Sequence, residues 1–193
     1  MRYADDANVY VRSQKAGERV MALLQSLYGG LKLKINEGKS AVASVFGRKF
    51  LGYSFWVARA GEVKRRVADK PLATFRQRVR ALTRRCSGRS MQEVVEQLRP
   101  YLLGWKAYFR LAQTPGVWRK LDAWLRHRMR AIQLKQWKRG STICRELLAL
   151  GAPPAVARRV AANSRHWWRN SAMLLNGVLT IAWLDRLGLP RLS

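Results

Sequence analysis

The chain has 193 residues, enough for one ordinary domain or two small ones with a sizeable buried core. Its hydrophobic content of 48% excludes a disordered basic tail, and its two cysteines are too few for a disulfide framework or a zinc site. The 38 Lys and Arg residues against 11 Asp and Glu give a formal charge of +27, which indicates an anionic partner. Nucleic acid is the first candidate for that partner, and an anionic membrane surface is the second.

The first predicted element is a β-hairpin with Asp5 and Asp6 at its turn. Asp favours turns, whereas Val9, Tyr10 and Val11 favour an extended return strand. Two adjacent carboxylates repel each other unless a divalent cation relieves the repulsion, and Mg²⁺ binds carboxylate oxygens together with substrate phosphates. On these residues alone, an ordinary acidic hairpin turn is the alternative.

The segment up to residue 67 has the mixed pattern of an α+β region. The predicted elements, in chain order, are a helix over Ala16–Tyr28 ended by Gly29-Gly30, short strands over 31–35 and 40–45, a strand over Phe50–Val57 and its hairpin partner over Glu62–Val67. A turn at Glu37-Gly38 separates the two short strands and presents Lys39. Gly52 stands where a bulge or a close backbone approach is expected.

From Asp69 onward the pattern is helical. Asp69 is a predicted helix cap, and the helix is expected to reach Cys86 and to end at Ser87-Gly88. Its apolar residues follow three–four spacing on one face, at Leu72, Phe75, Val79, Leu82 and Cys86. Arg76, Arg80 and Arg84 fall roughly on the opposite side, so the face turned to solvent is cationic.

Further helices follow that one. Ser90 and Glu93 form a predicted capping box for a helix that Pro100 is expected to kink or break. A long helix over Val117–Lys138 has its apolar stripe at Leu121, Leu125, Met129 and Ile132. The cationic residues of this helix, together with Arg139 directly after it, are Arg119, Lys120, Arg126, Arg128, Arg130, Lys135, Lys138 and Arg139. Shorter helices are predicted over Ser141–Leu150 and Pro154–Ala162, and around 172–176 and 179–187.

Aromatic residues could either pack in the core or stack on nucleic-acid bases. Trp105, Tyr108, Phe109 and Trp124 recur at helical spacing among Leu and Val, which favours core positions. The pair Trp167-Trp168 is less periodic, and both interpretations stay open for it.

The order of these landmarks resembles the C-terminal palm and thumb of a reverse transcriptase, followed by the maturase region of bacterial group II intron-encoded proteins. The palm and thumb motifs are Tyr3-Ala4-Asp5-Asp6, Leu33-Lys34-Ile35-Asn36-Glu37-Gly38-Lys39-Ser40 and Phe50-Leu51-Gly52-Tyr53-Ser54-Phe55. The maturase-like motifs are the segments 98–109, 121–130, 135–139 and 182–190. The resemblance covers essentially the whole chain and rests on the order and spacing of the motifs together.

The resemblance implies an α+β fold with two parts. Residues 1–68 are expected to be a small antiparallel palm remnant with β-hairpins and one helix, and residues 69–193 a mostly α-helical thumb and maturase region that binds RNA. It also implies that Asp5 and Asp6 are catalytic metal ligands. Tyr3 and Lys39 are expected on the nucleotide side, and Phe50-Leu51-Gly52 in the primer grip.

The third metal-binding aspartate and the fingers are expected before residue 1, so Mg²⁺ is expected only in a completed active site. The isolated chain is therefore expected not to extend a primer on an RNA template. As an enzyme, the completed protein would synthesise DNA on RNA and would bind a DNA primer and target. A separate N-terminal fragment is a possible partner of this chain.

The second hypothesis is a binding function, in which the basic helices hold group II intron RNA in its splicing-competent fold. A non-specific nucleic-acid-binding protein and an inactive gene remnant are the alternatives. A membrane-surface or DNA-compacting protein would leave the acidic hairpin unexplained. The expected location is the bacterial cytoplasm, in association with nucleic acid and without membrane insertion.

Overall fold

The computed structural model describes residues 2–3, 6–84, 88–172 and 174–193, and for residues 2, 3 and 6 the backbone alone. The chain divides into two compact units, Met1–Arg48 and Lys49–Ser193. The first unit contains a hairpin and a helix, and the second contains a hairpin followed by helices, which confirms the predicted α+β class. The boundary between residues 68 and 69, which separates palm from thumb by resemblance, stays a prediction.

The first unit begins with the predicted hairpin, which is shorter than expected. Strand β1 (Arg2–Tyr3) pairs antiparallel with β2 (Asp6–Ala7), so Asp6 begins the return strand instead of lying in the turn. Asp5 lies outside the described residues. The expected strand at Val9–Val11 is absent, and all three of its residues are exposed.

Helix α1 (Gln14–Gly30) extends the predicted helix by two residues at each end, so Gly29 and Gly30 lie inside it instead of ending it. It begins where the Ser13 hydroxyl accepts a hydrogen bond from the Ala16 N–H at 3.3 Å. Its predicted apolar stripe is only partly covered, because Leu23 and Leu27 are more than half exposed.

The two short strands predicted after α1 do not form, so this prediction was wrong. Residues 33–36 and 40–44 have no regular structure, and Leu33 is 58% exposed. An alternating pattern specifies a strand only where a partner edge satisfies its backbone groups. The turn between them is confirmed, since the Lys39 N–H donates to the Asn36 carbonyl oxygen at 3.1 Å and to its side-chain oxygen at 3.2 Å.

The second unit opens with a tight turn and a hairpin. Phe50 and Tyr53 exchange both backbone hydrogen bonds, at 3.0 and 2.9 Å, around Leu51 and Gly52. Both central residues have positive φ, 50° and 78°, as in the primed turns that fit strand twist. Strand β3 (Tyr53–Val57) then pairs antiparallel with β4 (Val63–Val67), which confirms the predicted hairpin and shortens its first strand by three residues.

Helix α2 (Asp69–Leu82) begins and ends differently from the prediction. Ala68 is the residue at the cap and makes no side-chain cap bond, so Asp69 is the first helical residue instead of the cap. The helix ends at Leu82, with Thr83 as its C-cap, before Cys86 and Ser87, which lie outside the described residues.

Helix α3 (Met91–Tyr108) has the predicted capping box. The Glu93 N–H donates to the Ser90 hydroxyl at 3.2 Å, and the Ser90 N–H donates to the Glu93 carboxylate at 2.6 Å. The predicted break at Pro100 is absent, because the helix continues through it.

The remaining helices are α4 (Pro115–Trp137), α5 (Gly140–Ala149), α6 (Pro154–Ala162), α7 (Trp167–Asn170) and α8 (Ile181–Arg186). The first three agree closely with the predicted helices. The helical piece expected around 172–176 consists of turns at its described residues, and α8 is shorter than the predicted 179–187.

Two hydrophobic clusters form the core of the second unit, and α4 contributes to both. The larger cluster joins α2, α3 and the first two thirds of α4 through residues such as Phe75, Leu98 and Leu125. The smaller cluster joins the end of α4, at Leu134, to α5, α6 and the segment around Leu179. Helix α4 is therefore the element that connects the whole second unit.

Candidate nucleic-acid interface

The clearest cationic surface lies on α2. Phe75 and Val79 are fully buried, whereas Arg76, Arg78 and Arg80 are exposed. The predicted separation of apolar and cationic faces is therefore confirmed for this helix. Arg78 was missed; at 3.6 residues per turn it lies about 160° around the helix from both Arg76 and Arg80, on the other flank of the buried stripe.

The predicted third arginine of that row, Arg84, is exposed but follows the end of α2. It does not continue the helical spacing of Arg76 and Arg80, because the backbone leaves the helix at Thr83. The cationic surface consequently extends from the helix onto the loop that follows it.

The C-terminal end of α2 lies against the middle of α4. The Arg80 guanidinium carbon lies 5.8 Å from the centre of the Trp124 ring, within the range of a cation–π contact. Arg128 donates to the backbone oxygens of Arg80 and Thr83, each at 3.2 Å, and to the Thr83 hydroxyl. A cation at a helix C-terminus satisfies free carbonyls and opposes the helix dipole. Arg128 thus holds α2 against α4, and its carbonyl-bound guanidinium is only partly available to RNA.

The cationic residues that the sequence places on helix α4 are not all exposed. Arg130 is 6% exposed, and its guanidinium donates to the Leu179 carbonyl oxygen at 2.7 Å and to the Asn176 side chain. Burial, followed by the repulsion of the nearby Arg126 charge, lowers the pKa of Arg130. Arg130 is therefore a packing residue, and the prediction that it belongs to the exposed surface is corrected.

Arg126 lies one helical turn before Arg130 on α4 and has a different partner. It lies 3.5 Å from the carboxylate of Asp122, which is 2% exposed and also accepts hydrogen bonds from the backbone N–H groups of Leu192 and Ser193, each at 2.9 Å. Arg126 thus balances a buried carboxylate that anchors the last residues of the chain.

The other predicted cations of this region remain at or near the surface. Arg119, Lys120, Lys138 and Arg139 are exposed, and Lys135 is half-buried. They lie towards the two ends of α4, so the structure does not bring them together into one row with Arg76 and Arg80.

Most acidic side chains of the second unit are already engaged within the fold. Ion pairs join Glu62 to Lys64, Asp122 to Arg126, Glu146 to Arg145 and Asp185 to Arg191. Glu93 closes the capping box, and Glu96 accepts from Gln92. The exposed arginines of α2 therefore contribute to a surface of net positive charge, which attracts a polyanion.

The aromatic residues predicted to be core differ in their burial. Phe109 is 5% exposed, and Trp105 is half-buried with its ring centre 4.5 Å from Phe75 and 5.2 Å from Trp118. Tyr108 is 56% exposed, which corrects the core prediction at this position. Trp124 is half-buried beneath Arg80.

The two residues of the Trp167-Trp168 pair, whose role the sequence left open, also differ in their burial. Trp168 is 40% exposed and stacks on His127 at 4.0 Å, whereas Trp167 is half-buried against the smaller cluster.

The residues expected for polymerase chemistry are described only in part. Asp5 lies outside the described residues, and Asp6 and Tyr3 are described by their backbone, so their metal and nucleotide roles stay predictions. Lys39 is exposed on the turn of the first unit. Elsewhere in the described chain, no group of three or more His, Cys, Asp or Glu residues is placed to hold a metal ion.

A comparison of the sequence with known protein families gives one match in this region. The model of the family "Group II intron, maturase-specific domain" matches residues 72–147, from the first turns of α2 into α5. None of the curated proteins compared with the chain matches it. Among the described residues, no helix combines the length and the apolar character needed to cross a membrane. Residues 72–147, which carry the cationic face of α2 and most of the larger hydrophobic cluster, are therefore similar to the group II intron maturase-specific domain, and this match fits the maturase region of a group II intron protein.

Proposed function

We propose that the chain binds group II intron RNA through the cationic face of α2 and stabilises the folded, splicing-competent intron. The observation that carries this proposal is the exposure of Arg76 and Arg80, one helical turn apart on the helix that buries Phe75 and Val79, within the region that matches the maturase family. A solvated basic face would serve no purpose in packing, whereas RNA supplies phosphates at high density.

Phosphate contacts of this kind supply affinity without reading sequence. Preference for one folded intron must then come from the shape of the RNA and from its unpaired bases. Exposed aromatic rings are groups that stack on such bases, and Tyr108 and Trp168 are exposed rings in the second unit.

The test is a salt titration of a variant in which Arg76, Arg80 and Arg84 are replaced by Gln. Each phosphate neutralised adds roughly 0.7 to 0.9 to the slope of log affinity against log salt, so the variant slope is expected to be flatter by about two to three units. The fold should be retained, since exposed substitutions typically change the free energy of unfolding by less than about 0.5 kcal/mol.

A matched control removes the same formal charge elsewhere. Lys64, Arg145 and Arg191 each pair with a carboxylate, so their replacement by Gln should leave the slope nearly unchanged. Both variants are titrated with intron RNA and with a scrambled RNA of equal length. An unchanged slope in the α2 variant would reject this surface, and equal affinity for the two RNAs would reduce the function to non-specific binding.

A further inference from the structure

An open groove of about 470 Å³ lies on the second unit, beside the Leu51-Gly52 turn. One wall consists of aromatic side chains near the end of α3, at Tyr101, Trp105, Tyr108 and Phe109. The facing side is formed by the turn at Leu51-Gly52 and by Pro71 in the first turn of α2. The three segments are distant in sequence, so the sequence indicated the turn and the aromatic residues separately and did not predict that they meet in a groove.

The groove is built into the fold. A Cβ atom at Gly52 would lie 3.2 Å from the Phe109 ring and 3.3 Å from Pro71, so only glycine leaves the space open without strain at this positive φ. The Tyr108 hydroxyl donates to the Leu51 carbonyl oxygen at 3.1 Å, and the Tyr53 hydroxyl donates to the Tyr108 carbonyl oxygen at 2.6 Å. These bonds fix the Tyr108 ring beside the turn.

The aromatic wall is also rigid and only partly covered. The ring centres of Trp105 and Phe109 lie 4.8 Å apart, and Tyr101 stacks on Phe75 at 5.7 Å. Tyr108 is 56% exposed, so its ring is open to a ligand. A preformed aromatic surface binds a flat group with little loss of side-chain entropy.

The charge at the groove has one sign. Lys49 and Lys70 are exposed and line it from the two segments that face the aromatic wall. No acidic side chain among the described residues lines the groove, and Asp69, the neighbour of Lys70, does not take part in it. A ligand that fits must therefore combine a flat apolar part with an anionic part.

We propose that this groove binds one unpaired nucleotide of the RNA, with its base against Tyr101, Trp105 and Tyr108 and its phosphate between Lys49 and Lys70. The proposal rests on the proposed function, because it assigns a base-recognising site to the same RNA partner. A paired base hides both its faces in the helix stack, so the groove selects single-stranded or bulged RNA. Its volume lies within the range of roughly 300–1,000 Å³ that small-ligand sites occupy.

The first test compares two single-stranded RNA oligonucleotides with the same backbone, one with all its bases and one with abasic sites. Stacking of one base on an aromatic side chain strengthens binding roughly five- to hundred-fold, so the wild type should prefer the intact RNA by a factor in that range. Replacement of Tyr108 by Leu should lower this preference at least several-fold. Urea unfolding of the variant checks that the fold is retained.

A second variant does not touch the core. In Lys49→Gln/Lys70→Gln the preference for intact RNA should persist, while the salt slope should flatten by about 0.7, the contribution of one phosphate of a single strand. Lys64→Gln/Arg145→Gln removes the same charge from acid-paired positions and should leave the slope unchanged. An unaltered slope in the groove variant overturns the phosphate position.

Photo-crosslinking locates the base directly. Irradiation of the wild type with RNA that contains 5-iodouridine, followed by mass spectrometry, should place the crosslink on Tyr101, Trp105 or Tyr108. Crosslinks confined to other residues, such as Trp168, overturn the proposal, as does an unchanged base preference in Tyr108→Leu. The proposed function is judged separately: if the α2 variant flattens the slope on intron RNA while these results are negative, the RNA-binding surface stands and only the groove is rejected.

Discussion

The replacement of Arg130 by Met separates structural from RNA-binding arginines. Met retains much of the aliphatic length of Arg130 but has no donor, so the buried Leu179 carbonyl oxygen loses its bond of 2.7 Å. A buried acceptor left without a partner costs roughly 1–3 kcal/mol. Asn176 is exposed, so water can replace the other bond at little cost.

One opposing contribution limits the loss. Burying a guanidinium is itself unfavourable, as the lowered pKa of Arg130 indicates, and Met removes that desolvation cost. We therefore expect the free energy of unfolding to fall by about 1–3 kcal/mol and not by the larger sum of both hydrogen bonds. Urea unfolding at fixed ionic strength measures this loss of stability. The variant should show a lower urea midpoint and an unchanged slope of the free energy of unfolding against urea concentration.

The same variant should bind RNA with an unaltered salt slope, because Arg130 is 6% exposed. Arg119→Met is the matched control, since Arg119 is exposed on the same helix and should change the stability by less than about 0.5 kcal/mol. If Arg130→Met left the stability unchanged and flattened the salt slope by about one unit, the guanidinium would face the RNA and the packing argument would be refuted.

Two further predictions concern backbone geometry and pH. Gly52 and Gly61 both have φ of 78°, but an added Cβ would meet the Phe109 ring only at Gly52. Gly52→Ala should therefore destabilise the fold by about 1–3 kcal/mol more than Gly61→Ala in urea unfolding. Equal losses in the two variants would contradict the close approach at Gly52. The hydrogen bond from Arg191 lowers the pKa of Asp185, so this pair stabilises the fold above the ordinary Asp pKa near 3.9, and its contribution disappears as the pH falls through the lowered value. Asp185→Asn should therefore lose less stability than the wild type between about pH 5 and pH 2, and an identical pH profile would count against the pair.

Local signals predicted those elements that local interactions determine. The capping box at Ser90 and Glu93, the helix that begins at Pro154 and the hairpin of residues 53–67 all formed as expected. In each case the residues that specify the element lie within a few positions of one another. The exposure of Arg76 and Arg80 was predictable for the same reason, since their spacing of one helical turn puts them on one face, away from the apolar stripe.

The incorrect predictions depend on partners that are distant in the sequence. The alternating pattern at residues 31–35 resembles a strand, but no described strand pairs with it. Arg130 looked like one more surface cation because nothing near it in sequence reveals the carbonyl group of Leu179, 49 residues later. The groove combines residues from three segments, so only the fold brings Lys49, Lys70 and Tyr108 together.

Helix α4 passes through both hydrophobic clusters, and this fixes the separation of the positive charges near its two ends. Its 23 residues cannot bend or shift at one end without disturbing the packing of Leu125 or Leu134 at the other. The cations beside its two ends, Arg119 and Lys138, are thus kept about 28 Å apart along its axis, at 1.5 Å per residue. At 3.6 residues per turn the two cations also lie about 100° apart around the axis, so α4 presents its charges on two sides and not in one row.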